Sequence, residues 1–159
     1  MSRDSREDHL LELPQLSDRV VALILREQSP ADPVRGWAPA LHFTISAEAS
    51  RQPVGLISLR LGVSEWLTNY AGQVAYAVAP EHRGRRYASR ALRLIARVAW
   101  AKGLVPVWVT CNPENVASRR SCELAGGVLV DVVPLPSGNA MYERGERLKC
   151  RYRLHPDAV

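Results

Sequence analysis

Apolar residues recur along the chain at two periods, and each predicts a different element. In "SDRVVALILREQ" (17–28), Val20, Leu23 and Ile24 fall on one helical face, with Ser17 or Asp18 placed to cap it, so a helix is expected. Pro30 and Pro33 would end it. Ahead of it, "LLELPQL" (10–16) reads as a short strand that Pro14 keeps to an edge or an end. "ALHFTISAE" (40–48) and "PVGLISLRLG" (53–62) are strands joined by "ASRQ" into a hairpin. "VSEWLTNYAG" (63–72) fits a helical turn or an irregular loop, and "QVAYAVA" (73–79) is a strand stopped by Pro80. Over 87–102, Ala88, Ala91, Leu92, Ile95 and Ala99 share a helical face, and Gly103 suits a C-cap. "VPVWVTC" (105–111) is rich in β-branched residues and predicts a strand. "NPENVASRRSCELAGG" (112–127) carries start signals at Asn112-Pro113 or Asn115 and a stop at Gly126-Gly127, which predicts a helix. "VLVDVVPL" (128–135) and "RLKCRYRLH" (147–155) read as strands around the polar loop "SGNAMYERGE".

The resulting order, roughly β-α-β-β-β-α-β-α-β-β, is that of an α/β domain. Its strand–helix–strand unit around 73–111 implies some parallel pairing, and the meander before it implies antiparallel pairing, hence a mixed sheet. With 159 residues and no linker, repeat or low-complexity tract, the chain is expected to form one domain over 10–159, preceded by a loose segment, 1–9.

Composition changes this picture little. Hydrophobic residues make up 47% and charged residues 23%, the balance of a globular protein. The net charge of +5 suits a nucleic acid, a phosphate-bearing cofactor or an acidic substrate. Cys111, Cys122 and Cys150 are odd in number and widely spaced, so neither a disulfide framework nor a zinc site is indicated. The polar start "MSRDSREDH" lacks the apolar core of a signal peptide, and no apolar run has a membrane span's length. A cytoplasmic, reduced setting is expected, without metal or membrane partner.

The chemistry concentrates in "APEHRGRRYASRAL" (79–92). A strand ends, one glycine sits among four arginines, Arg83, Arg85, Arg86 and Arg90, and a helix begins near residue 86 or 87. The first amides of a helix have no intrahelical partners and its dipole is positive there, so such an end attracts an anion. Arginine is electrostatically disfavoured at that end by up to about 1 kcal/mol each, a cost a bound phosphate would relieve. The plain alternative is a solvated charge run. GxxxxGK[ST] and GxGxxG are both absent, which excludes a P-loop and a dinucleotide fingerprint.

"Val-x-Pro-x-x-Arg-Gly-x-x-Tyr-Ala-x-x-Ala-Leu" resembles motif A of the GNAT N-acetyltransferase superfamily, whose loop pattern is Gln/Arg-x-x-Gly-x-Gly/Ala. Here Arg83 and Ala88 match, and Arg86 stands in the first glycine slot. "CNPENVASRRSCELAGG" resembles motif B: Asn115 and Ser118 match its start, Gly126 its glycine, and Gly127 replaces the usual aromatic. The run before motif A and the final "RYRL" strand resemble those of a subgroup of uncharacterised bacterial members, so the likeness covers roughly residues 40–155.

The resemblance implies a single GNAT-like fold with a central sheet of about six to seven strands. A splayed strand pair would hold acetyl-CoA, the expected cosubstrate, and direct attack would carry the acetyl group to an amine. The Val78 N–H would face the thioester carbonyl. The amides of Arg83, Gly84, Arg85, Arg86, Tyr87, Ala88 and Ser89 would face the pyrophosphate, and Arg85 and Arg86 would add charge to it or to the 3′-phosphate. Asn115 would touch the pantetheine arm or cap its helix, and Ser118 would touch the arm or bond to its own backbone. Many relatives carry a tyrosine acid seven residues after the motif-B Asn; here that position is Cys122, a candidate acid or a core thiol. No carboxylate lies in "GQVAYAV", which leaves Glu65 as the nearest candidate base. Tyr70, Tyr76 and Trp66 are candidate acceptor-pocket walls, with Tyr76 and Trp66 alternatively core; His42 and His82 have no readable partner. The expected acceptor is a small-molecule amine; the alternatives are a protein N-terminus or lysine, or a CoA-binding regulatory module. A homodimer is a family tendency. A nucleic-acid partner is not expected, because no recognition helix or RNP-like strand occurs.

Overall fold

The computed structural model describes residues 16–158, so the strand expected over 10–16 and the segment 1–9 lie outside the described residues apart from Leu16. The helix expected over 17–28 is instead a strand, β1 (Val21–Ser29), paired antiparallel with β2 (Ala40–Ala47). Val21 and Leu23 are buried while Ile24 is 53% exposed, so the working period is two. The run "VVALIL" satisfies both periods, and pairing with β2 decides between them. Asp18 caps no helix: its carboxylate accepts the amides of Val20 and Val21 at 2.9 and 2.8 Å and turns the chain into β1.

β2 continues into β3 (Gln52–Arg60), and a π-helical turn, Leu67–Ala71, leads to β4 (Val74–Val78). Helix α1 (Tyr87–Ala101) crosses to β5 (Val107–Cys111), α2 (Val116–Leu124) to β6 (Val128–Pro134), and a short α3 (Ala140–Glu143) precedes β7 (Leu148–Leu154). α3 lies in the segment expected to be loop; Asn139 caps it by accepting the Tyr142 amide at 3.0 Å.

The strands form two sheets, ordered β1-β2-β3-β4 and β5-β7-β6, whose ladders are all antiparallel. This is the expected α/β architecture with seven strands. The expected parallel pairing of β4 with β5 is reduced to one junction at Gln73, which is 1% exposed. Its backbone N–H donates to the Trp108 carbonyl at 2.8 Å, its Oε1 accepts the Trp108 amide at 2.8 Å, and its Nε2 donates to the Gly62 carbonyl at 2.7 Å. Beyond that junction no ladder bond joins β4 and β5 among the described residues.

One layer of core spans both sheets. The apolar face of α1, with Ala91, Leu92, Ile95, Val98 and Ala99 fully buried, covers Phe43, Ile57 and Leu59 of the first sheet and Val107, Val109 and Tyr152 of the second. Each large side chain so buried stabilises the fold by about 1.5–3 kcal/mol. The helices thus lie on one face, and the opposite face carries His42, Thr44, Leu56, Ser58, Ala75 and Ala77, the alternate positions of β2, β3 and β4.

Candidate active site

The free end of β4 is where the expected site lies. Ladder bonds run from the Arg60 amide to the Gln73 carbonyl (2.7 Å) and from the Ala79 amide to the Val54 carbonyl (2.9 Å). Antiparallel bonding alternates, so Val78, opposite Gly55, occupies a non-bonded position. Its N–H therefore points away from β3, towards the unpaired side facing β5. The Val78 carbonyl, on the same side, accepts Arg83 Nε at 3.1 Å.

The loop that follows holds its backbone in an unusual shape. Gly84 has φ 83° and Arg86 has φ 61°, with Arg85 between them outside the positive-φ region. Alternation of hand over three residues turns successive N–H groups into one concavity, the geometry of an anion-binding nest. Among the described residues, the amides of Gly84, Arg85, Arg86, Tyr87, Ala88 and Ser89 donate to no protein acceptor. Arg83 differs from expectation: its amide is taken by the Pro80 carbonyl at 3.3 Å, and its side chain braces β4. Arg86 keeps the left-handed backbone of the glycine slot without being glycine, at a cost of about 1 kcal/mol or more. Two bonds hold it there: its carbonyl accepts Ser89 Oγ at 3.0 Å and the Arg90 amide at 3.2 Å.

The arginines divide by role. Arg90 pairs with Asp18 at 2.9 Å, which ties the start of α1 to the entry of β1. Burial alone would raise the Asp18 pKa, but the Val21 and Val20 amides and Arg90 outweigh it and hold the carboxyl below its usual value. Arg85 and Arg86 are exposed and unpartnered among the described residues, beside the free amides.

Across the gap stands the start of α2. Asn115 caps it, its Oδ1 accepting the Ser118 amide at 3.1 Å. Tyr76 lies on the helix-facing side of β4 rather than on the opposite face, and reaches over to α2. Its hydroxyl is 2.8 Å from Ser118 Oγ and donates to the Ser118 carbonyl at 3.3 Å. Burial pushes the Tyr76 pKa well above the usual tyrosine range, and the neighbouring Cys122 adds to this. Cys122 is fully buried in the core and its thiol is pushed up to about 12, by burial first and then by Cys111. The three cysteines converge: Cys111 faces Cys150 across the β5–β7 ladder, and Cys122 packs on them from α2. Gly127 stands where relatives carry an aromatic because a Cβ there would lie 2.7 Å from the Cys122 carbonyl oxygen.

Other expectations are dispersed. Glu65 is exposed, just before the π-helical turn, with no bond to another site residue. Trp66 and Tyr70 pair at 5.4 Å, and the Tyr70 carbonyl accepts Thr110 Oγ1 at 2.7 Å, so this pair flanks β5 on the face away from the helices. His42 has partners that sequence gave no hint of: Ser29 Oγ at 2.9 Å and Ser58 Oγ at 2.8 Å, on the neighbouring strands. Gln73 and the bridging position of Tyr76 also escaped the sequence, since both depend on residues 35 and 42 positions away. Among the described residues no cluster could hold a metal ion, and no helix is long and apolar enough to cross a membrane.

A strand pair bonded at one end and open at the other, with a nest of free amides at a helix start beside the open end, defines an α/β domain suited to a phosphate-bearing chain laid along the gap. The acetyltransferase (GNAT) domain model matches residues 13–128, and the chain belongs to that family. Solved structures of the same fold include the ribosomal-protein-S5-alanine acetyltransferase of Vibrio fischeri, at 18% identity and TM-score 0.56 over 76% of this chain. Another is spermidine N-acetyltransferase of Vibrio cholerae in complex with CoA and spermine, at 17% identity and TM-score 0.54, covering 75% of this chain and 67% of that one. An aminoglycoside acetyltransferase in complex with coenzyme A and kanamycin aligns at 12% identity and TM-score 0.57, covering 75% of this chain and 68% of that one. The chain spans 64% of the length of the Vibrio fischeri protein. No protein of curated function matches the sequence.

Proposed function

We propose that the chain transfers an acetyl group from acetyl-CoA to a primary amine, by direct attack with both substrates bound. One observation carries this reading: six consecutive backbone amides without acceptors, Gly84 to Ser89, shaped into a nest at the start of α1 directly after Arg83, whose side chain braces Val78. These residues fit the diphosphate of acetyl-CoA, with Arg85 and Arg86 as added charge. The Val78 N–H would then donate to the thioester oxygen as negative charge develops there, which is oxyanion stabilisation by a fixed dipole. Alignment of amine and thioester in the gap would supply proximity. Asn115 and Ser118 would line the pantetheine track.

The acceptor would approach from the face opposite the helices, where the aromatic pair Trp66–Tyr70 favours a small amine that can pack against a ring. A second reading, the amine of a polypeptide, is favoured by the exposed Ile24 and Leu56 on that face. Glu65 remains the proposed base for the acceptor ammonium in either case. CoA thiol release, followed with acetyl-CoA and a panel of polyamines, amino acids, aminoglycosides and short peptides, tests the proposal. Release that depends on one acceptor class supports it, and binding of acetyl-CoA without acceptor-dependent release supports a regulatory CoA-binding module instead.

A further inference from the structure

We infer that Arg60 binds a carboxylate of the acceptor, at the far end of an extended chain from its amine. The inference rests on the proposed acetyl transfer and, of its two acceptor readings, selects the amine of a polypeptide.

Arg60 ends β3 and follows Leu56 and Ser58 onto the face away from the helices. Lys149 and Arg151 of β7 lie on the same side of the molecule, since the alternate residues Cys150 and Tyr152 point into the core. Both of those cations have carboxylates. Lys149 Nζ is 2.8 Å from Glu146 Oε1, and Arg151 Nη1 is 3.1 Å from each oxygen of Asp131. Arg60, half-buried, meets no carboxylate among the described residues. Its Nη1 donates to the Ala71 and Gly72 carbonyls at 3.2 and 2.9 Å, which fixes the guanidinium in place beside the π-helical turn. Nε and Nη2, whose hydrogens point the same way, donate to no protein acceptor among the described residues. No buried side-chain nitrogen there lacks a partner, so both are open to solvent. A cation drawn out of water without a counter-ion is costly, and burial holds this guanidinium's pKa below its usual value. Two parallel donors on a fixed plane match the two oxygens of a carboxylate.

Position sets the length of the acceptor. The Arg60 amide donates to the Gln73 carbonyl at 2.7 Å, so Arg60 stands level with the start of β4, and its guanidinium reaches back to Gly72. Val78, whose N–H would meet the thioester, is five to six residues further on, about 16–20 Å at the rise of a strand. Between them the outward side chains of β4 are Ala75 and Ala77, small and exposed, with Ser58 and Leu56 of β3 alongside. An extended peptide of about five residues spans that distance. A free amino acid is too short to reach both ends, and a polyamine offers Arg60 only like charge.

The test follows CoA thiol release from acetyl-CoA with alanine peptides of two to six residues, each as the free acid and as the C-terminal amide, at pH 8. The wild type is expected to use the pentapeptide acid about tenfold better than its amide in kcat/KM, with the difference in KM, the worth of a hydrogen bond to a charged group. The dipeptide acid and amide are expected to agree within about twofold. Arg60→Gln is expected to bring the pentapeptide ratio within about twofold of unity, with acetyl-CoA affinity by calorimetry also within about twofold of wild type. Equal use of acid and amide by the wild type at every length overturns the inference, as does a preference that survives in Arg60→Gln. Acetyl-CoA binding without release on any peptide overturns this inference alone, and absence of acetyl-CoA binding overturns the reading beneath it as well. If Arg60→Gln does not fold, the Arg60 Nε–H resonance of the wild type decides. Its movement on titration with N-acetyl-pentaalanine acid but not with the amide supports the inference, and no movement with either overturns it.

Discussion

Strand β4 has one bonded end and one free end, and the two are built by different means. At Gln73 a buried residue makes two bonds to Trp108 that join the two sheets and a third, to the Gly62 carbonyl, that ties it to the segment after β3. At Val78 the strand has left β5, and the next residues leave six amides without acceptors. Bonds between the sheets concentrate at the first end, and free backbone donors at the second. A gap that opens at one end can admit a long, thin molecule without the sheets coming apart.

The largest effect is expected at the bonded end. Gln73→Leu leaves the Gly62 carbonyl and the Trp108 amide buried without partners, a loss of about 2–4 kcal/mol. Chemical denaturation should show a lower midpoint, and a loss under about 1 kcal/mol would mean the sheets are held together chiefly by α1. At the free end, Gly84→Val places a β-branched residue at φ 83°. The nest must then distort, and acetyl-CoA affinity by calorimetry should fall about tenfold or more while the fold survives.

Arg86→Gly separates backbone from side chain within the nest. Relief of the left-handed conformation, partly offset by glycine's greater freedom when unfolded, should raise stability by about 0.5–1 kcal/mol, a few degrees in Tm. Acetyl-CoA affinity should stay within about threefold if the amides carry recognition; a tenfold loss would assign the guanidinium a phosphate. The smallest effect concerns Asp18, whose pKa is lowered in the fold. A carboxylate with a depressed folded pKa adds stability that is present above its unfolded value, near 4, and lost as pH falls through the folded value. Asp18→Asn should therefore lower stability by a constant amount above about pH 5, leaving the slope there unchanged, and flatten the acid limb below about pH 4.

The two ends also differed in how far they could be read from sequence. The free end was legible because an amide cradle requires a recognisable local pattern: a strand stop, a glycine, small residues and a helix start. Even there the sequence showed only that Arg86 stands in a glycine slot, and not that it takes the glycine's backbone, with φ 61°. The slot requires a left-handed backbone, and Ser89 and Arg90 impose that shape on a residue that resists it. The bonded end was illegible. Nothing local marks Gln73, because its partners lie 11 and 35 residues away. β1 was misread for the same reason, as only its partner β2 selects between two apolar periods that the run satisfies equally. Tyr76 was open between acceptor wall and core in the sequence, and the register of β4 puts it on the helix side, packed against the core.

Calorimetric titration of the wild-type chain with acetyl-CoA, paired with a thermal melt, tests the central claim that the free amides of Gly84 to Ser89 hold its phosphates. Saturable one-site binding is expected, with a stabilisation of about 2.7 kcal/mol at a hundredfold excess over Kd. No heat of binding and an unchanged Tm at millimolar acetyl-CoA would contradict it.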